Sequence, residues 1–478
     1  MSKFNFNNTY IELPEEFYSF QRPETSSDPR MVVYNSTLAN ELGIELSEEE
    51  ALDYLSGNVV PKGSEPIAQA YAGHQFGHFN MLGDGRAVLL GEHITPSGER
   101  YDIQLKGPGR TAYSRGGDGR AGLGPMLREY IISEGMHGLR IPTTRSLAVA
   151  STGEDVFRER ILKGAVLTRI ASSHIRVGTF QYARWFRDEY ELQQLADYTI
   201  DRHYPECRDA ENPYLELLKR VIESQASLIV KWNLVGFIHG VMNTDNVSIS
   251  GETIDYGPCA FMDSYNPSTV FSSIDRSGRY SYKNQPSITV WNLSRFAETL
   301  LPLIDEDENN AINIIKGELG KFQKQYTREY IAGMGKKLGL SEIIQGDSYL
   351  VEGLLSIMEA QGEDYTNTFV ALTKGDYSLM KEPNSKDFES WLKLWRGRLS
   401  VQGEDEGIVK QVMMDNNPVI IPRNHLVEEA LTKAESGDIS MVNEMVGYLQ
   451  NPFDYSIDYG RYAEADKSNK PYRTFCGT

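Results

Sequence analysis

Apolar residues fall at three- and four-residue intervals through four segments of the second half of the chain: 214–232, 288–304, 312–334 and 425–434. That spacing predicts amphipathic helices, each turning one stripe to a core. Between residues 80 and 180 the texture differs, with frequent Gly and Arg and short alternating apolar runs that predict strands and tight loops. "AVLLGEHI" and "RYDIQLKG" flank the turn "TPSGE", a hairpin signature. In its second arm Tyr101, Ile103 and Leu105 fall on one face, and Asp102, Gln104 and Lys106 on the other. Pro125 suits the first turn of a following helix whose stripe is Met126, Leu127, Tyr130 and Ile131. Glu129 lies inside that stripe, where an unpaired charge is costly, and Lys106 is its natural cationic partner. Residues 164–184 are β-branched and read as extended, carrying Arg169 and Arg176. The whole pattern predicts an α+β protein, β-rich over 1–183 and helical over 184–478.

The segment "FIHGVMNTDNVSISGETIDYGP" (237–258) interrupts the helical texture after Gly236. "NVSIS" and "TIDYG" alternate about "GE", predicting a tight hairpin that brings Asn246 and Asp255 together. One amide and one carboxylate are hard oxygen ligands of the kind that share a magnesium ion with substrate phosphates. Upstream, Gly83-Asp84-Gly85-Arg86 is a turn whose backbone amides can approach an anion. It is not a dinucleotide fingerprint, since no helix follows, and no Gly-Lys-Ser/Thr makes it a Walker loop. The run 107–124 has seven glycines and carries Arg110, Arg115, Asp118, Gly119 and Arg120. It reads either as a phosphate clamp or as a merely mobile loop. The guanidinium forks of Arg169 and Arg176 suit a polyphosphate tail. His74 and His78 have the i, i+4 spacing of a metal pair, but their glycine-rich setting reads as a structural turn. "GEDEG" (403–407) reads as a solvated loop.

Composition narrows the partners. With 48 Lys and Arg against 67 Asp and Glu the net charge is −19, which argues against nucleic acid. A chain of 478 residues suits one large or two moderate domains. The three cysteines, Cys207, Cys259 and Cys476, are too scattered for a disulfide framework or a zinc site. No secretory pattern and no apolar run near the ~20 residues of a membrane span is present. The expectation is a reduced, cytoplasmic monomer that binds no membrane.

A strand Lys, a helix Glu, a loop Asn and an Asp-aromatic-Gly motif follow one another in the order of the protein-kinase fold. The longer motifs "YAGHQFGHFN", "LGDGRA", "LKGPGRTAYSRGGDGRAGLGPMLREY", "HGVMNTDN", "DYGP", "GRYSYKNQP" and "NPFDY" make the match narrower. In these the chain resembles the selenoprotein O (YdiU) family. The resemblance implies a kinase-like fold of a β-rich N-terminal lobe and a helical C-terminal lobe, with family-specific extensions. It also implies a pseudokinase that binds ATP flipped and transfers AMP to Ser, Thr or Tyr of a protein, releasing pyrophosphate. By resemblance, Gly83, Gly85 and Arg86 contact the nucleotide, and Lys106 contacts phosphate while pairing with Glu129. Asp118 and Gly119 close on the nucleotide, and Arg169 and Arg176 hold its phosphates. Asn246 and Asp255 ligate Mg²⁺ or Mn²⁺, and Asp245 is the general base. Family members often pair a C-terminal Cys with one near the site, which makes Cys259 with Cys476 a redox candidate; a buried, inert Cys259 is the other reading. UMP transfer from UTP with Mn²⁺, a conventional kinase releasing ADP, and a non-catalytic scaffold are the alternatives.

Overall fold

The computed structural model describes residues 3–467 and 472–474. Its first part alternates short strands with helices: β1 (Tyr18–Phe20), β2 (Arg30–Tyr34), α1 (Ser36–Leu42), α2 (Glu48–Leu55), β3 (Ile67–Gln69), β4 (Ala72–Gln75) and β5 (His78–Met81). Then follow β6 (Ala87–Ile94), β7 (Arg100–Lys106), β8 (Ala121–Gly122), α3 (Leu123–Gly138), β9 (Arg145–Phe157) and β10 (Ile161–Ala171). Strands run antiparallel in the order β1-β3-β6-β7-β10-β9-β2, with β8 also pairing β10, while β4 and β5 form a separate hairpin. The chain is thus a mixed α/β protein built on an antiparallel sheet and many helices.

The two faces of β7 explain the layering. Ile103 and Leu105 pack with Leu38, Leu42, Leu55 and Ile170, so α1 and α2 cover that side. The other face carries Asp102, Gln104 and Lys106, all buried rather than solvated. Gln104 lies opposite Arg169 of β10 and Lys106 opposite Leu167, which puts Lys106 and Arg169 on one face. α3 crosses this face, burying Leu127 and Ile131 against Val149, Ala165 and Leu167.

The helical part comprises α4 (Val177–Phe186), α5 (Glu189–His203), α6 (Pro213–Leu234), α7 (Gln285–Ile304) and α8 (Glu308–Lys337), followed by α9 (Asp347–Gln361), α10 (Tyr365–Lys374), α11 (Lys386–Gln402), α12 (Glu406–Asn416), α13 (Asn424–Glu435) and α14 (Ser440–Leu449). Caps set several boundaries: Asp188 and Glu191 form a capping box on α5, and Asn212 caps α6 with Pro213 in its first turn. "GEDEG" is a helix junction, in which Gly403 ends α11 in the left-handed conformation and Asp405 caps α12. Leu426, Val442, Met445 and Leu449 return to pack on α3 and join its core. Among the described residues no helix is long and apolar enough to cross a membrane.

Two local expectations are corrected. The extended reading of 164–184 holds only to Ala171; α4 begins at Val177, and Arg176 is its N-terminal cap residue. Val177, Phe180 and Ala183 share a helical stripe buried in one cluster, so i+3 spacing outweighed β-branching. The predicted hairpin at 246–257 does not form. Ile249 N–H donates to Ile175 and Val177 N–H to Val247, while Thr253 N–H donates to Pro142 and Thr144 N–H to Thr253. Its two arms therefore pair with different segments instead of with each other. A short strand pair instead frames the loop, β11 (Phe237–Ile238) with β12 (Ala260–Phe261).

Candidate active site

β7, β10, α3, the N-terminal cap of α4 and the loop 239–258 deliver five charged groups to one buried point. Lys106 Nζ donates to Glu129 Oε2 at 2.7 Å and to Asp255 Oδ1 at 2.9 Å. Arg169 donates through Nε and Nη2 to Glu129 Oε1 at 3.0 and 2.6 Å, and its Nη2 also reaches Asp255 Oδ1 at 2.7 Å. Arg176 Nη1 donates to Asp255 Oδ2 at 2.6 Å and to the Asp245 carbonyl at 2.7 Å, with its guanidinium over the Tyr71 ring. Burial opposes ionisation of Asp255, but Lys106, Arg169 and Arg176 overcome it and hold the carboxyl well below its ordinary range. Glu129 is lowered in the same way, against its burial, by Arg169 and Lys106. Three cations thus face two ionised carboxylates, leaving an excess positive charge suited to phosphate.

Asp245 differs. Burial raises its carboxyl to about 6, only partly offset by Arg176, and its Oδ1 has no hydrogen-bond partner among the described residues. The β4–β5 hairpin roofs it: His74 N–H donates to Thr244 Oγ1 at 2.7 Å and Phe76 N–H to Asn243 Oδ1 at 3.0 Å. A Cβ on Gly73 would lie 2.8 Å from Asp245 Oδ1, so only glycine leaves that carboxylate its place. Buried His239 accepts from Val241 N–H and bonds the Ile254 carbonyl, clasping the two arms of the loop. Asp255 itself has φ 62°, a left-handed conformation uncommon outside Gly, Asn and Asp.

Asn246 Nδ2 donates to the Val241 carbonyl at 3.0 Å, which orients its amide. An amide at Asn246 and a carboxylate at Asp255 are the hard oxygen donors that a divalent cation takes, although Lys106, Arg169 and Arg176 occupy the Asp255 oxygens in this arrangement. Among the described residues no group of three His, Cys, Asp or Glu forms a metal cage by itself.

Other predicted residues stand apart. Gly83 (φ 107°) lets the Tyr113 ring pack where a Cβ would be 2.4 Å from it, and Thr111 Oγ1 donates to the Asp84 carbonyl at 2.6 Å. The glycine turn is thereby braced against the 107–120 loop. Arg86 ends that turn, its carbonyl accepting from Gly107 N–H at 2.8 Å. Asp118 makes a two-pronged pair with Arg158, both contacts at 2.8 Å, which lowers its carboxyl to about 2. Gly119 (φ 68°) closes the neck of the same loop, where a Cβ would lie 1.9 Å from the Gly109 oxygen. Neither joins the Lys106 cluster directly. Cys259 is fully buried and free, its thiol pushed up to about 12 by burial; Cys476 lies outside the described residues. His74 bonds Gln181 at 2.8 Å and lies in β4, with His78 in β5, so strands replace the turn expected there.

Two acidic residues escaped the sequence reading. Asp84, buried and raised to about 6 by desolvation, accepts from Gln69 N–H and Gln104 Nε2. Its place inside the glycine turn was the available signal. Asp102 accepts from His174 N–H at 3.0 Å, His174 Nδ1 at 2.9 Å and Arg202 Nη2 at 2.7 Å, fixing the segment that leads to Arg176. Its alternation with Lys106 on β7 placed it on the right face.

A sequence model described as protein adenylyltransferase SelO matches residues 1–450. The chain is 56% identical to the protein nucleotidyltransferase YdiU of Clostridium perfringens (strain 13 / Type A), over 99% of this chain and 98% of that one. It is 57% identical to the protein of that name in Geobacillus kaustophilus (strain HTA426), over 99% of both chains. The Bacillus cytotoxicus protein of the same name is 58% identical over 99% and 98%. With buried cations, an acid pair and motifs shared along the chain, the protein belongs to the SelO family of protein nucleotidyltransferases.

Proposed function

We propose that the protein transfers AMP from ATP to a Ser, Thr or Tyr hydroxyl of an acceptor protein, using a divalent metal. The observation that carries this reading is the buried Lys106–Arg169–Arg176 cluster, with its excess positive charge, beside a carboxyl raised to about 6. The acceptor oxygen attacks the α-phosphorus, a new P–O ester bond forms, and the bond to the bridging oxygen breaks so that pyrophosphate leaves. Asp245 takes the hydroxyl proton. A carboxylate in hydrogen-bond reach contributes roughly 10²–10⁴-fold as a base. Lys106, Arg169 and Arg176 stabilise the charge that develops on the phosphate oxygens, fixed in a site where water is excluded. Asn246 and Asp255 would hold Mg²⁺ or Mn²⁺, which supplies charge neutralisation on the same oxygens.

Gly83, Gly85, Arg86, Asp118 and Gly119 complete the nucleotide contacts in this reading, with 1–183 and 184–478 as two kinase-like lobes enclosing it. The match of residues 1–450 to a family model described as a protein adenylyltransferase supports transfer from the α-phosphorus, and Asp245, beside Asn246, is the acid this loop offers in place of the kinase Asp. Mass spectrometry of an acceptor protein after incubation with ATP tests the proposal. A nucleoside monophosphate adduct on a hydroxyl side chain is expected; a phosphate adduct alone overturns it.

A further inference from the structure

The roof over Asp245 is also an unfinished surface. β5 pairs only with β4 among the described residues, and all four of its residues are exposed. A strand with a bare edge offers unpaired backbone groups to an incoming extended segment. The side chains around that edge form a continuous ribbon. Phe186, at the end of α4, stacks on Phe79 at 6.1 Å; Phe79 meets His74 at 4.9 Å; His74 meets Trp291 at 5.3 Å; and Arg279 lies over Trp291 at 4.8 Å. Phe79 and Phe186 are 38% and 44% exposed, large for rings that touch one another on a surface.

The charge on this ribbon runs against that of the molecule. In a chain of net charge −19, Arg184 and Arg279 flank the aromatic rings and make no ion pair among the described residues. Their guanidinium groups lie over Trp185 and Trp291 with Nε of each buried, so that the terminal nitrogens are the end left for a carboxylate. The ribbon is continuous with the site, because β4 bonds Thr244 and its Gly73 abuts Asp245.

We infer that this ribbon docks the acceptor protein through an extended segment that carries acidic residues beside its hydroxyl. The segment adds to the free edge of β5, its carboxylates meet Arg184 and Arg279, and an apolar side chain covers Phe79 and Phe186. This rests on the reading that the acceptor is a protein, so the test separates docking from transfer. Two labelled peptides share one central Tyr and differ in flanks, one rich in Glu and Asp, the other in Lys and Arg. Fluorescence anisotropy on the full chain is expected to show the acidic peptide bound at least tenfold more tightly. Arg184→Glu with Arg279→Glu reverses that order, and Phe79→Ser weakens the acidic peptide severalfold, while ATP affinity is unchanged in both. Equal affinity of the wild-type protein for the two peptides overturns the inference, as does unchanged binding in Phe79→Ser. The same mixtures receive α-labelled ATP. Peptide preference without label on peptide or protein sinks the transfer reading alone, and label without preference sinks the docking surface alone.

Discussion

Asp245 and Glu129 are both buried acids, yet their surroundings push them in opposite directions. Glu129 sits between Lys106 and Arg169 and stays ionised; Asp245 shares only the flank of Arg176 and rises to about 6. Asp245→Asn is expected to lower the transfer rate by roughly 10²–10⁴-fold with ATP affinity retained. The wild-type rate should climb with pH through about 6, as the base loses its proton, and that limb should vanish in the variant. Glu129→Ala leaves two buried cations with Asp255 as their only carboxylate. It should cost about 3–5 kcal/mol in urea unfolding. The pH dependence of stability has two signs. Glu129 and Asp255, held below 4.5 and 3.8, contribute fully above those values and lose their contribution as pH falls through the folded pKa. Asp84 and Asp245, raised to about 6, hold protons that the unfolded chain releases, so they reduce stability as pH rises from 3.8 to about 6. The Lys106–Glu129 contact was legible because strand alternation and a helix stripe each fix a face. The shift at Asp84 was not, since it comes from burial that only the folded chain creates.

Among the elements, the β4–β5 hairpin and the loop 239–258 carry the most consequence. Glycine at 73 lets the hairpin lie directly on Asp245. Gly73→Ala forces its Cβ to within 2.8 Å of Asp245 Oδ1, so the carboxylate swings aside. Transfer is expected to fall at least tenfold, with a lowered melting temperature as well, since the new Cβ also stands 3.0 Å from Asp245 Cβ, the stem of a buried side chain. A rate equal to wild type would show that Asp245 has no fixed working position. Alternation in 246–257 suggested two arms paired with each other and could not name their true neighbours. Each arm found a partner elsewhere, at Ile175 and at Pro142, because Ile249 packs with the α4 cluster while Tyr256 packs with Trp232 and Phe237. β-branched residues hid α4 for the complementary reason: burial of Val177, Phe180 and Ala183 decided a segment whose local preference was extended.

Taken whole, the molecule packs together segments that lie far apart in its sequence. The change from strand texture to helix texture was visible, though helix begins at Val177 and not near 184, and the return of α13 and α14 onto α3 was not, because no local pattern names a distant face. That return matters to the site, since α3 carries Glu129 and is bound from outside by Leu426, Val442 and Leu449. Arg128, one residue before Glu129, donates to Glu428 at 3.0 Å and to Tyr472. Leu449→Ala is expected to destabilise the protein by about 2–5 kcal/mol, read from the denaturation midpoint, while ATP affinity at the folded site is kept. The family was readable from long motifs; the arrangement of buried charge that gives those motifs their chemistry required the fold. The central claim is tested most directly by incubating the protein and an acceptor with α-labelled and γ-labelled ATP in parallel, with Asp255→Ala as control. Metal-dependent label on protein from the α position only, absent in the variant, is the predicted result; label from the γ position alone would contradict it.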